Sequence, residues 1–203
     1  MAREAAQFLF DFGSPNAYLA HKVIPAIEAR TGVLFTYVPV LLGGVFKATG
    51  NRSPMEAYAG IPSKLAYEAL ETRRFVARHA LTRFSANPHF PVNTLMIMRG
   101  AVAARTLDVF ALYVDAVFAA MWEDGRKMDE TAVVIETLAV AGLPADRLLT
   151  LTQDSAIKDR LIASTAAAVE RGVFGSPSFF VGGELFFGKD RLGQVEEAIA
   201  GAS

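Results

Sequence analysis

The chain has 203 residues, with 20 basic against 21 acidic side chains and a formal net charge of −1. Hydrophobic residues make up 52% and charged residues 20%, which excludes a disordered chain and leaves ample apolar surface for a core. The balanced charge argues against a nucleic-acid surface, and the absence of cysteine excludes disulfides, a thiol nucleophile, an iron–sulfur cluster and any dithiol redox cycle run by the protein itself.

The three histidines, His21, His79 and His89, lie far apart without ligand spacing, so no metal is expected. No apolar run reaches the roughly 18–20 residues that span a bilayer. The stretch from Met1 to Gln7 lacks the basic and then apolar segments of a leader. The expectation is a cytoplasmic protein with no membrane partner.

The aromatic run from Gln7 to Phe12 stops at Gly13 and predicts a first strand. Ser14-Pro15 is a helix start, with serine at the cap and proline at the first helical position. Tyr18, Leu19, Val23, Ile24 and Ile27 follow at helical spacing until Gly32. Residues 33–40 alternate as a second strand, and strand–helix–strand over about 40 residues implies a parallel pair. Gly43–Pro54 reads as a loop with at most a short helix over 45–48. From about Lys47 to Arg171 the pattern is helical and alanine-rich. Ser63, Asn93, Asp129 and Asp154 are expected as caps, and Gly142 and Gly172 as stops. Strands return at 178–181 and 184–187 around Gly182-Gly183, a hairpin signal, and a last helix begins at Lys189-Asp190-Arg191.

Three places offer chemistry. Ser14 sits between a strand end and a helix start, where backbone N–H groups and the helix dipole favour an anion. A plain N-cap is the reading that local sequence alone favours, since Ser-Pro helix starts are common. Pro177, after Gly175-Ser176, stands at a strand start; a cis bond there exposes backbone groups to a ligand, while an ordinary trans proline is the simpler alternative. Asp190 opens a helix, as a cap or as a carboxylate for a ligand's ammonium. Of the five phenylalanines between 174 and 187, alternate positions of the hairpin are expected in the core rather than in a substrate slot.

Together these motifs carry a resemblance. Asp11-Phe12-Gly13-Ser14-Pro15 with Tyr18, Gly50-Asn51, the run Gly172 to Pro177, and Phe187 to Arg191 occur in the order of the thioredoxin-fold family with a helical insertion. Within that family the chain resembles the branch of kappa-class glutathione transferases and 2-hydroxychromene-2-carboxylate isomerases. The resemblance implies an α/β, thioredoxin-like domain over residues 1–42 and 172–203, interrupted by an all-helical insertion over 43–171. It implies that Ser14 replaces the first cysteine of the redox relatives and hydrogen-bonds the sulfur of glutathione, the cofactor. Backbone groups of Ser176, beside a cis Pro177, would meet the cysteinyl part. Lys189, Asp190 and Arg191 would lie at the γ-glutamyl end, and Asn51 on the glutathione or substrate side. Lys47 would read the carboxylate of a small aromatic acid, with Asn87 nearby, and His89 is a loop histidine. The implied activity is a glutathione-dependent isomerisation by thiolate addition, rotation and elimination, in a homodimer. A kappa-like transferase and a non-catalytic thioredoxin-like binding module are the alternatives.

Overall fold

A computed structural model describes residues 6–201, so Met1 to Ala5 of the stretch read for a leader lie outside the described residues. Strand β1 (Ala6–Phe10) leads through helix α1 (Pro15–Thr31) to β2 (Phe35–Pro39). The helices α2 (Leu42–Thr49), α3 (Pro54–Ala57), α4 (Pro62–Arg78), α5 (Leu95–Thr106), α6 (Phe110–Trp122), α7 (Thr131–Val140), α8 (Ala145–Leu151) and α9 (Ser155–Glu170) follow. The hairpin β3 (Ser178–Val181) and β4 (Glu184–Phe187), a 3₁₀ turn over Lys189–Arg191 and α10 (Leu192–Gly201) complete the chain. The sheet runs β2-β1-β3-β4, with β1 parallel to β2 and antiparallel to β3. This is the α/β, thioredoxin-like fold.

The central strand β1 is apolar throughout because both of its faces are covered. Phe8 and Phe10 point to one side, with Phe12 beyond the strand, into a cluster that includes Met98 of α5 and Phe118 of α6. Leu9 points the other way, onto Val45 of α2, Ala168 of α9 and Phe180. The Trp122 indole N–H donates to the carbonyl of Phe12 at 2.7 Å, which ties the end of α6 to the residue that follows β1. The helices between the two sheet segments therefore build their core directly on the sheet.

Several helix boundaries differ from the sequence expectation. The segment after β2 is not a loop: α2 begins at Leu42 and takes Gly43 and Gly44 into its first turn. The buried carboxylate of Asp11 accepts from the Leu42 N–H at 2.7 Å and fixes that start, while buried Val45 anchors the helix and Gly50, at φ 69°, ends it. Ser63 is not a cap, because Pro62 already fills the first helical position of α4. Asn93 still accepts from the Leu95 N–H at 3.0 Å, although Thr94 holds the cap position. Helix α7 opens after Glu130 rather than Asp129. Asp154 caps α9 as expected, and the hairpin falls on its expected residues.

Candidate functional site

The site is built on the loop between β1 and α1. Asp11 is completely buried. One carboxylate oxygen accepts from the Gly13 N–H at 2.8 Å; the other accepts from Leu42 N–H at 2.7 Å and from the Thr94 hydroxyl at 3.1 Å. One side chain thus fixes the approach to α1, the start of α2 and the start of α5. Burial pushes the Asp11 carboxyl above its ordinary range, against the lowering effect of those three donors.

Ser14, 5% exposed, caps α1 by accepting from the Ala17 N–H at 3.2 Å. Its own proton goes to the carbonyl of Ser176 at 2.8 Å. The Ser176 hydroxyl in turn accepts from the Asp11 N–H at 3.1 Å, and the bond from Ser176 to Pro177 is cis. The first turn of α1 and the segment ahead of β3 are therefore stitched together, with a hydroxyl at a helix N-terminus where an anion is favoured.

Above this pair lies a cleft of about 880 Å³. Its floor comprises Ser14, Asn16 and Ser176; α2 contributes Leu42 and Phe46, and α4 contributes Leu65, Glu68 and Thr72. The connection after α2 adds Asn51 and Arg52, and Phe174 and Phe187 close one side with their rings 4.5 Å apart. Gly175 is required beneath them, because a Cβ at that position would stand 2.7 Å from the Phe187 ring. Arg52 is the one cation and Glu68 the one carboxylate among the lining residues.

The structure thus gathers Ser14, Asn51 and Ser176 around one cleft, with Pro177 beside them in the chain. Asn51 donates from its amide to the Phe174 carbonyl at 2.8 Å. The other expected residues do not line the cleft. Lys47 is exposed on α2, and at about 100° per residue it lies some 140° around the helix from cleft-lining Leu42. Asn87 is buried, its amide donating to the carbonyls of Met121 and Arg126 at 2.9 Å each while its oxygen takes the His89 N–H at 2.8 Å. Both amide N–H groups are spent on holding backbone together, so neither is free to donate to a substrate. Lys189 is 2% exposed and points its ammonium at the Asp190 carboxylate, 3.1 Å away, with Asp190 as the exposed member of the pair. Asp190 and Arg191 are not among the residues that line the cleft.

Asp11, Arg52, Glu68 and the pair Phe174 and Phe187 complete the picture and were not singled out for these places by the sequence. Asp11 gave one signal, a carboxylate at the end of an otherwise apolar run. Phe187 and Phe174 are 42% and 41% exposed, unlike the buried Phe179 and Phe180, so part of the aromatic hairpin does face the cleft. Among the described residues no group of three or more His, Asp or Glu is placed to hold a metal ion, and no helix is long and apolar enough to cross a membrane.

Comparison with known proteins places these features in a wider set. The DSBA-like thioredoxin domain family matches residues 6–200. A 2-hydroxychromene-2-carboxylate isomerase of Pseudomonas sp. (strain C18) is 31% identical over 197 residues, covering 96% of this chain and 90% of that protein. A glutathione S-transferase kappa 1 of Rattus norvegicus is 24% identical, over 94% of this chain and 88% of its own length. A solved structure of a 2-hydroxychromene-2-carboxylate isomerase superposes with a TM-score of 0.80 at 28% identity, covering 97% of this chain and 94% of that one.

Proposed function

The chain belongs to the DSBA-like thioredoxin family, and on that premise we propose that it is a glutathione-dependent isomerase of an aromatic, conjugated 2-oxo or 2-hydroxy acid, of the 2-hydroxychromene-2-carboxylate kind. The observation that carries the reading is Ser14: a hydroxyl at the N-terminus of α1, on the floor of a large cleft, in a chain without a cysteine. Relatives named for this isomerase and for kappa-class glutathione transferases support it at near full length.

The residues present fit the tripeptide. Glutathione, when bound, supplies a thiolate that adds reversibly to a conjugated double bond, permits rotation about the resulting single bond, and leaves unchanged. Ser14 would hold the sulfur by turning its proton to it from the Ser176 carbonyl, and the α1 dipole would favour the same negative charge. The Ser176 carbonyl, released by that turn, would be free to accept a backbone N–H of the tripeptide. Asn51 holds the wall beside Phe174, and Asp190 offers its exposed carboxylate at the γ-glutamyl end. Arg52 takes the place expected of Lys47: it is the cation of the cleft and stabilises a substrate carboxylate and the charge that develops next to it. Phe174, Phe187 and Phe46 supply apolar walls for an aromatic ring and exclude water. The thioredoxin-like part over 1–42 and 172–203 would give the sulfur site together with Phe174 and Phe187, and the helical part over 43–171 would add Phe46 and Arg52 on the substrate side. The homodimer stays with this proposal.

Turnover of 2-hydroxychromene-2-carboxylate is followed by product analysis with and without glutathione. The proposal expects the isomer, free glutathione recovered in full, and no reaction without it. Consumption of glutathione into a stable conjugate would make the protein a transferase, the reading that the kappa-class relatives favour.

A further inference from the structure

A second pocket, of about 250 Å³, lies between α2, α5 and α9 and shares no lining residue with the Ser14 cleft. Helix α2 separates the two: Leu41, Gly44 and Ala48 face the small pocket, and Leu42, Phe46 and Thr49 face the cleft. The remaining walls are apolar, from Leu95, Leu161 and Val169, with Ile162 at the edge and 65% exposed. Room exists because the facing positions are small: Gly44, Ala48 and Ala166.

The polar groups of this pocket are one-sided. The Thr165 hydroxyl is already spent, accepting from the Leu41 N–H at 2.9 Å and donating to the Leu161 carbonyl at 2.7 Å. What remains are two half-buried cations, Arg99 on α5 and Lys158 on α9, and neither has a carboxylate within ion-pair distance among the described residues. A cation beside apolar walls with no counter-charge is complementary to a ligand that brings an anion on an apolar body. A phosphate needs donors on several sides, which these walls do not offer. A neutral apolar ligand leaves both cations uncompensated.

We propose that this pocket binds a small amphiphilic carboxylate, a medium-chain or aryl acid, with its apolar part between α2 and α9 and its carboxylate between Arg99 and Lys158. The site is independent of the Ser14 cleft and of the reaction proposed for it.

The test is a calorimetric titration of the full chain with octanoate and with octanamide, its uncharged counterpart. Octanoate binds with one-to-one stoichiometry and more tightly than octanamide. Replacing both cations, Arg99→Gln with Lys158→Gln, weakens octanoate by about 10-fold, since two partly exposed ion pairs with the carboxylate are lost, and leaves octanamide nearly unchanged. Ala166→Trp fills the pocket from an exposed position on α9 that tolerates bulk, and weakens both ligands by about 10-fold or more. The control Ala69→Trp, which narrows the Ser14 cleft from exposed α4, leaves octanoate within about twofold. Equal affinity of octanoate and octanamide overturns the assignment, as does undiminished octanoate binding by Ala166→Trp. Loss of binding in Ala69→Trp alone puts the acid in the cleft and overturns it too. A chain that binds no octanoate but dissociates into monomers on Ala166→Trp shows the pocket to be an interface between copies, which also refutes a ligand site.

Discussion

Ser14 has two jobs in this structure, and replacing it separates them. Ser14→Ala removes the acceptor for the Ala17 N–H and the donor to the Ser176 carbonyl. The lost N-cap costs about 1 kcal/mol, and the lost neutral hydrogen bond about 1 kcal/mol more. A total of about 2 kcal/mol lowers the melting temperature of a chain this size by about 4–8 °C. Ser14→Gly retains most of the capping benefit, because glycine at a cap costs only a few tenths of a kcal/mol, so it loses about two-thirds as much stability. Catalysis follows a different rule. A charge-assisted hydrogen bond to a bound thiolate is worth about 1.5–3 kcal/mol, so both variants turn over about 10–150-fold more slowly, and in both the bound thiol ionises at higher pH. Denaturant titration gives the stability ranking, and thiolate absorbance of the glutathione complex against pH gives the ionisation. Turnover that ranks as stability does, with Ser14→Gly close to the parent protein, would refute the catalytic role and leave Ser14 a cap.

Three further outcomes follow from the same geometry. Arg52→Met lowers kcat/KM on an acidic aromatic enone by about 10-fold or more, whereas Lys47→Met changes it by less than about twofold, because only Arg52 lines the cleft; the reverse ranking in steady-state kinetics would restore Lys47. Burial raises the Asp11 carboxyl, so the folded chain holds a proton that the unfolded chain has already lost. Its contribution to stability therefore declines as pH climbs from the ordinary carboxylate value to the raised one and is level above it. In denaturation at a series of pH values, the stability gap between the parent and Asp11→Asn narrows through that window; a gap that widens there is incompatible with a raised carboxyl. Gly100→Ala drives a methyl into the Tyr113 ring and displaces the hydroxyl that donates to the Ile97 carbonyl at 2.9 Å. Overpacking and one lost hydrogen bond total about 2–4 kcal/mol, or about 4–16 °C in melting temperature, so an unchanged melting temperature would show that α5 and α6 can part at no cost.

Local signals in the sequence were enough to set most of the elements. Ser14-Pro15 and Gly32 bound α1, Asp154 caps α9, and Gly182-Gly183 at φ 57° and 86° turns the hairpin. Each rests on a preference that a residue expresses within a few positions of itself, through a side-chain cap, a fixed φ or freedom to adopt a positive one. The order of those motifs also carried the thioredoxin-like fold and the place of Ser14. Only the tertiary structure decided the rest of the site. Helix α2 forms where Gly43-Gly44 argued for a loop because a carboxylate 31 residues earlier in the chain, Asp11, holds its first N–H. Once α2 is a helix, its phase turns Lys47 away and leaves Arg52 as the cation of the cleft. Asn87 is withdrawn from the substrate side by two carbonyls of residues 34 and 39 positions away. Long-range pairing of this kind depends on which backbone groups packing leaves unsatisfied, and a buried polar group must find its partner wherever the fold brings one. No local pattern encodes that partner.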